Sequence, residues 1–395
     1  MKVLVSTYKT ASDRIALASA RSVATAGHEV WVATDDPSTA TCHSRSVKGV
    51  LPVRNPISDL DGHAADLVEH VLTKGFDTIL PTDDYSVHAL SKRIEAGDMI
   101  VPLPVPALAA QVQAMDKNAM TARAAELGLA TPKSRALSSA EDVEEALATL
   151  QPPWVVKLAR GGGSVGMLQT ADADAVRRHF ADRPDHSDPI YDFRTMIIQE
   201  HVAGKTHDAW VLMNRGKAVF GLAGQRRITY PLSGGAGVLI ETIERPAFFD
   251  QAVRLLESLG WHGPADVEFL VDPADGTAYF IEINGRLWGG TGLALHSGVN
   301  FAAAACEMAV EGYIEPDFRF PAGKVMRWQF PNGPLCVAQS ENKLAMAWEL
   351  FRPSRSIGND VQLSDPAAAR RQLTDAWRKF RGSDGAASLD PTSLC

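Results

Sequence analysis

DVEFLVDPADGTAYFIEINGR, residues 266–286, is the most informative stretch of this 395-residue sequence. Two apolar runs with polar residues at alternate positions flank the turn signal PADG, which predicts a hairpin of two strands. The hairpin places Glu268 and Glu282 opposite each other. Asn284 lies two positions beyond Glu282, and the two-residue period of a strand turns both side chains to one face. We therefore expect Glu268, Glu282 and Asn284 to converge.

The three converging side chains all carry oxygen ligands, which Mg²⁺ prefers where it also bridges the phosphates of a substrate. Arg286 occupies the next position on the same face and offers a planar fork for a phosphate or a carboxylate. The alternative for such a hairpin is a solvated acidic face opposite an apolar face. The alternating pattern by itself leaves both interpretations open.

A glycine-rich loop gives a second signal. The stretch VVKLARGGGSVGM, residues 155–167, places Lys157 on a predicted strand just before the loop. Glycines let backbone amides turn towards an anion, and lysine supplies a compact positive charge for phosphate oxygens. No GK[ST] follows, so this is not a Walker A motif. The alternative is a flexible hairpin loop that binds nothing.

A third signal is IIQEHVAG, residues 197–204, where an apolar strand ends in polar residues. The edge of such a strand can offer backbone donors and acceptors to a planar base, and Glu200 could accept from an exocyclic amine. Asp208, eight residues further on, could accept from a ribose hydroxyl. His207 is the alternative residue for this contact. The alternative is an ordinary strand end.

The first 105 residues alternate short apolar runs with helical stretches, which predicts an open parallel sheet with flanking helices. The run MIVPLPVP, residues 99–106, is included in this pattern. The first turn lacks GxGxxG, which disfavours a dinucleotide site and therefore a dehydrogenase. Asp83 and Asp84 follow a predicted strand, where α/β proteins gather ligands, but capping of the next helix is the favoured interpretation.

Composition excludes several other classes of protein. Hydrophobic residues make up 45% and charged residues 22%, as in a folded globular protein, and the net charge of −8 argues against a nucleic-acid partner. No apolar window is long enough to span a bilayer. The four cysteines are widely separated and have no metal-type spacing. We therefore expect a cytoplasmic protein without a membrane or nucleic-acid partner.

Five motifs together resemble the ATP-grasp superfamily, in its carboxylate–amine ligase and carbamoyl-phosphate-synthase-like branch. They are MDKNAM around Lys117, Lys157 before GGGSVG, QEHVAG, DVEF and FIEINGR, and they occur in the order and spacing of that family. The resemblance covers about residues 1–330. It implies an α/β protein with an N-terminal Rossmann-like parallel-sheet domain followed by an ATP-grasp fold of two α+β subdomains.

The resemblance also implies domain boundaries. Residues 1–105 form the Rossmann-like domain, and residues 106–205 form linker helices and the small subdomain. Residues 206–330 form the large subdomain with the metal site. Residues 331–395 lie beyond the resemblance and form a C-terminal segment, in which the polar and small-residue-rich stretch from about residue 376 predicts a loose tail.

Site residues follow from the same resemblance. The catalytic residues are Arg286, Arg226 and Lys157; Arg226 and Arg227 are adjacent on a strand, so at most one of them faces the site directly. The cofactors are ATP and Mg²⁺, with Mn²⁺ as the alternative ion. The metal ligands are Glu268, Glu282 and Asn284. The ATP-binding residues are Lys117, Lys157, Gly162, Gly163, Ser164, Glu200, His201, Val202 and Asp208.

The function that the resemblance implies is an ADP-forming ligase. It would activate a small carboxylate as an acyl phosphate and join it to an amine. The first alternative is a carboxylase or carbamoyl-phosphate-type enzyme that activates bicarbonate, and the second is a nucleotide-binding regulator without turnover. The partners are small-molecule carboxylate and amine substrates; a homodimer is left open.

Overall fold

A computed structural model describes residues 1–8, 13–162, 166–185, 187–232, 234–354 and 356–382. Three sheets organise these residues: a parallel sheet of four strands, an antiparallel sheet of four strands and a larger sheet of seven strands. No helix within the described ranges has the length and apolar character needed to cross a membrane.

The N-terminal sheet is parallel, with the strand order β3-β2-β1-β4, and helices connect its strands. The predicted open parallel sheet is thus confirmed. MIVPLPVP adds no strand to it, because Pro102, Pro104 and Pro106 cannot donate to a ladder of hydrogen bonds. The elements are β1 (Lys2–Ser6), α1 (Asp13–Thr25), β2 (Glu29–Thr34), β3 (Gly49–Pro52), α2 (Leu60–Lys74), β4 (Thr78–Pro81) and α3 (Asp84–Glu95).

Two linker helices lead into the second sheet, which is antiparallel with the order β5-β8-β6-β7. Its strand β6 carries Lys157, and the glycine-rich loop joins β6 to β7. The elements are α4 (Leu108–Ala114), α5 (Lys117–Glu126), β5 (Ser134–Leu137), α6 (Ala140–Thr149), β6 (Trp154–Leu158), β7 (Leu168–Thr170), α7 (Ala173–Ala181) and β8 (Met196–Glu200).

The seven-stranded sheet has the order β13-β12-β9-β10-β11-β14-β15. Its strands pair antiparallel except for β14 and β15, which run parallel. The predicted hairpin forms the β12–β13 edge of this sheet. The elements are β9 (Lys205–Asn214), β10 (Lys217–Tyr230), β11 (Ala236–Thr242), α8 (Ala247–Ser258), β12 (Gly263–Val271), β13 (Ala278–Asn284), α9 (Thr291–His296), α10 (Phe301–Glu311) and β14 (Val325–Arg327).

The C-terminal segment is tied to the rest of the molecule. It contains α11 (Asn332–Gln339), α12 (Lys343–Phe351), β15 (Ile357–Asn359) and α13 (Pro366–Gly382). Because β15 belongs to the seven-stranded sheet, that sheet continues beyond residue 330. The predicted start of a loose tail near residue 376 is wrong, since α13 is still helical there; residues 383–395 lie outside the described ranges.

The N-terminal domain and the large sheet share one apolar core. Val3 and Val5 of β1 belong to the same buried cluster as Leu222 of β10 and Leu293 of α9. Within it Trp210 and Trp288 stack with ring centroids 5.2 Å apart. Continuous apolar packing of this kind resists relative movement of the N-terminal domain and the large sheet.

Candidate active site

The hairpin acids lie where the strand period predicts. Glu268 pairs directly with Glu282 across β12 and β13, and Asp266 pairs with Asn284. The Asn284 side-chain amide donates to Glu268 Oε1 at 3.0 Å. The structure therefore brings Glu268, Glu282 and Asn284 to one face of the hairpin.

Two lysines from other elements face these acids. Lys117, at the start of α5, lies with Nζ 3.2 Å from Glu282 Oε2 and donates to the Gly161 carbonyl at 2.6 Å. Burial lowers the pKa of Lys157 to about 8, although Glu282 opposes this shift. Both lysines thus stand between an acid of the large sheet and the glycine-rich loop of the small one.

Arg226 lies within a cluster of three acids. It donates to both carboxylate oxygens of Asp208, at 3.1 Å from Nε and 2.6 Å from Nη2, and it forms an ion pair with Glu268. Ligand oxygens of Asp208, Asp266 and Glu268 all lie within 4.8 Å of one another. Arg227 instead points away, towards Glu241 and Glu349.

The strand register accounts for this cluster. Asp208 is the partner of Glu268 across β9 and β12, so the two side chains share a face. His207 is turned to the other face, where it packs against Phe248 of α8. Asp208 is buried and bound to Arg226. Its contact with a ribose hydroxyl stays a prediction, and in this structure Asp208 holds Arg226.

Burial controls the ionisation of the cluster. It raises the pKa of Glu268, which Arg226 only partly offsets, and it raises the pKa of Asp266 still more strongly, aided by Asp208. Burial also opposes ionisation of Glu282, yet Lys117 and Lys157 together hold its pKa below the ordinary range. The acids are thus closely packed and incompletely neutralised.

Arg286 binds an acid of the N-terminal domain. Its Nε donates to Asp84 Oδ2 at 3.1 Å, and the Tyr191 hydroxyl donates to the same oxygen at 3.2 Å. Asp83, by contrast, caps α3 by accepting from the Ser86 amide at 2.8 Å, as predicted. Through Asp84 Oδ2, the N-terminal domain thus contacts both Tyr191, which precedes β8, and Arg286, which follows β13.

Three residues at this site were not predicted from the sequence as members of the site. Asp266 could have been found, because it lies two positions before Glu268 and therefore on the same face. Asp84 was noted at a predicted strand end, but capping of the next helix was the favoured interpretation, and no local pattern marks Tyr191. Asp84 and Tyr191 join the site through hydrogen bonds between residues that are more than 100 positions apart in the sequence.

The predicted adenine residues lie at the end of β8. Glu200 accepts from the Gln151 amide at 2.9 Å, and the His201 amide donates to the Pro153 carbonyl. Residues 201–204, which include Val202, form the link from β8 to β9. Gly162 lies in the glycine-rich loop, while Gly163 and Ser164 lie outside the described residues. Roles in binding adenine and phosphate remain predictions for all of these.

The donor set fits a magnesium nucleotide. Glu268, Glu282 and Asn284 supply hard oxygen ligands. The neighbouring Asp266 Oδ1 is buried and accepts no hydrogen bond from the described residues. Glu282 also raises the pKa of Glu268 by repulsion, and a divalent cation would relieve that repulsion. Lys117 and Lys157 supply the positive charge that phosphates require.

Comparison with known proteins agrees with this geometry. Residues 116–314, which are 199 of the 395 residues, match the family model described as carbamoyl-phosphate synthase L chain, ATP binding domain. The chain therefore belongs to this family, which is part of the ATP-grasp superfamily. The match includes Lys117, Lys157 and the acids Asp208, Asp266, Glu268 and Glu282, but not Asp84.

Two curated relatives resemble parts of the chain. A D-alanine–D-alanine ligase of Cupriavidus taiwanensis is 28% identical over 224 residues, which is 54% of this chain and 66% of the ligase. A protein of Emericella nidulans named as a candidate urea carboxylase is 25% identical over 281 residues, which is 66% of this chain and 21% of the relative. The chain thus spans less than two thirds of either relative.

A solved structure shows the same fold. The biotin carboxylase domain of Hydrogenobacter thermophilus 2-oxoglutarate carboxylase, in complex with MgADP and bicarbonate, superposes with a TM-score of 0.66. The match covers 82% of this chain and 73% of that domain at 15% identity. At this identity the likeness concerns the fold.

Proposed function

We propose that this protein is an ATP-dependent ligase that joins a small carboxylate to an amine through an acyl phosphate. One observation carries the proposal: Lys117 and Lys157 face the paired acids Glu268 and Glu282 beside a glycine-rich loop. The similarity to a D-alanine–D-alanine ligase supports the amine-joining reaction.

The proposed chemistry follows from the poor reactivity of a carboxylate, whose leaving group would be oxide. A carboxylate oxygen attacks the γ-phosphorus of ATP, the bond to the bridging oxygen breaks, and ADP leaves. The amine then attacks the acyl carbon, inorganic phosphate leaves, and the amine loses one proton to solvent. The products are an amide, ADP and phosphate.

In this mechanism the lysines neutralise the phosphates, so that two anionic reactants can approach each other. When bound, Mg²⁺ would be held by Glu268, Glu282 and Asn284 and would supply further charge neutralisation. Arg226 is positioned by Asp208. Arg286, oriented by Asp84, offers its remaining guanidinium hydrogens to the phosphoryl group or the acyl oxygen.

Substitution of Glu282 tests the proposal. Glu282→Gln should reduce ADP release at least about 100-fold, because it removes the charge that organises both Lys117 and the cation site. Circular dichroism should show an unchanged fold. Glu145→Gln is the matched control, since the Glu145 side chain is 66% exposed and forms a surface ion pair with Arg135. Full activity of Glu282→Gln would remove Glu282 from the site.

A bicarbonate-activating carboxylase is the second candidate. It is supported by the fold shared with a biotin carboxylase domain and by the relative named as a candidate urea carboxylase. The two candidates differ in what triggers turnover. ADP release with bicarbonate in place of any organic carboxylate would favour the carboxylase, whereas ADP release that requires an organic carboxylate and an amine would favour the ligase.

A regulator without turnover would bind ATP and release no ADP under any mixture. The density of acids argues against it, because nucleotide binding alone does not require Glu268, Asp266 and Glu282 to be crowded together. We place the reaction in the cytoplasm, in keeping with the buried free thiols of Cys306 and Cys336. A homodimer is a prediction that sedimentation can test.

A further inference from the structure

A cavity of about 350 Å³ lies between α1, α9 and residues 357–362. Apolar side chains form much of its wall, and three of its lining residues are glycines. An added Cβ at Gly292 would lie 2.5 Å from Met326 Cε, so the absence of side chains keeps this space open. Its apolar lining residues include Leu17, Ala18, Leu295, Met326, Ile357 and Val361.

Arg14 brings a guanidinium group to this cavity without an acidic partner among the described residues. The group lies over the Trp328 ring, 3.8 Å from its centroid, and makes one long hydrogen bond of 3.3 Å to the Gly237 carbonyl. Arg21 lines the same cavity, but two of its nitrogens bind Asp365. Arg14 therefore has N–H groups available for a ligand, whereas Arg21 is occupied.

The cavity adjoins the proposed active site. The Gly237 carbonyl that binds Arg14 belongs to β11, next to Arg226: a Cβ added at Gly237 would lie 3.4 Å from Arg226 Cγ. Gly289 follows Arg286 by three residues, and a Cβ there would lie 3.2 Å from the Arg14 Cζ. A ligand on Arg14 would thus be close to the groups that handle the phosphoryl transfer.

The electrostatics of the cavity favour an anionic group. Burial lowers the pKa of Arg14 to about 9, and Asp360 only partly opposes this. Asp360 also lines the cavity, but it accepts from the Gln329 amide and the Gln372 side chain and forms no ion pair with Arg14. A ligand carboxylate would complete the bidentate pairing that a guanidinium prefers.

We propose that this cavity binds the amine substrate as an apolar amino acid, whose carboxylate is held by Arg14 and is not activated. The inference rests on the proposed ligase function. The carboxylate pairs with the guanidinium, the side chain packs against the apolar wall, and the amino group is left to attack the acyl phosphate. The volume lies within the range of small-molecule sites.

Titration calorimetry tests this inference without turnover. The full chain with Mg²⁺ and a non-hydrolysable ATP analogue is titrated with L-leucine or L-phenylalanine, and with the corresponding amides, which lack the carboxylate. The wild-type protein should bind the acids about 10- to 100-fold more tightly than the amides, the range for a hydrogen-bonded charged group. Arg14→Met should abolish this preference, and Arg14→Lys should keep part of it.

Arg319→Met is the matched control, because the Arg319 side chain is 92% exposed, and it should keep the full preference. Equal binding of acids and amides by the wild-type protein, binding of neither acid, or a preference that survives in Arg14→Met would each overturn the inference. Leucine binding that depends on Arg14, without ADP release in any mixture, would instead refute the ligase proposal alone.

Discussion

Replacing Lys157 by arginine should remove a pH dependence that we expect in the affinity of the wild-type protein for ATP. Burial lowers the pKa of Lys157 from a usual value of 10.5 to about 8. A bound phosphate would restore the pKa towards the usual value, because an adjacent anion favours the ammonium form. ATP therefore binds the protonated form, and its affinity must fall as pH rises above 8.

The magnitude follows from the two pKa values. If binding returns the pKa to 10.5, the dissociation constant should rise about tenfold between pH 7 and pH 9. At pH 8.5, binding should take up about three quarters of a proton, since that fraction of the free lysines is neutral. Calorimetry with a non-hydrolysable ATP analogue, in buffers of different ionisation enthalpy, measures both quantities.

Lys157→Arg should bind the analogue with little change in affinity over this pH range, because a guanidinium stays protonated throughout. Lys133→Arg is the matched control, since the Lys133 side chain is 76% exposed, and it should behave like the wild type. A wild-type affinity independent of pH, with no proton uptake, would refute the assignment of Lys157 to the phosphates.

Two further predictions concern Asp84, which orients Arg286, and Arg226, which neutralises the acids around it. Asp84→Asn should lower kcat about 10- to 100-fold, because it weakens the contact that orients Arg286, while calorimetry should show unchanged ATP affinity; a change in affinity alone would contradict this role. Arg226→Met should cost about 3–5 kcal/mol in urea unfolding at pH 7, because it leaves the acids around it uncompensated. This loss of stability should be smaller at pH 5 than at pH 7. The raised pKa values of Asp266 and Glu268 mean that these acids take up protons more readily in the folded state than in the unfolded state, and a protonated acid needs no positive partner. Equal losses at both pH values would contradict it.

The hairpin could be predicted because its information is local. Alternation fixes which side chains share a face, and the turn fixes which residues of β12 and β13 are opposite each other. Glu268, Glu282 and Asn284 followed from these two rules alone. The orientation of Arg226 and Arg227 to different sides followed from the same alternation.

Features that depend on distant parts of the chain could not be predicted in this way. The contact between Arg286 and Asp84 joins residues 202 positions apart, and no periodicity reports it. The pairing of Asp208 with Arg226 was missed because Arg226 reaches it from the neighbouring strand. MIVPLPVP has the apolar content of a strand, but its prolines remove the donors that a strand needs.

Transfer of labelled oxygen tests the central claim most directly. The chain is incubated with ATP, Mg²⁺ and a mixture of amino acids whose carboxylates carry ¹⁸O, and the released phosphate is examined by mass spectrometry. An acyl phosphate requires one carboxylate oxygen to leave with the phosphate, so we expect ADP, a new amide and phosphate that carries one ¹⁸O. Amide formation with unlabelled phosphate, or with AMP in place of ADP, would contradict the proposed mechanism.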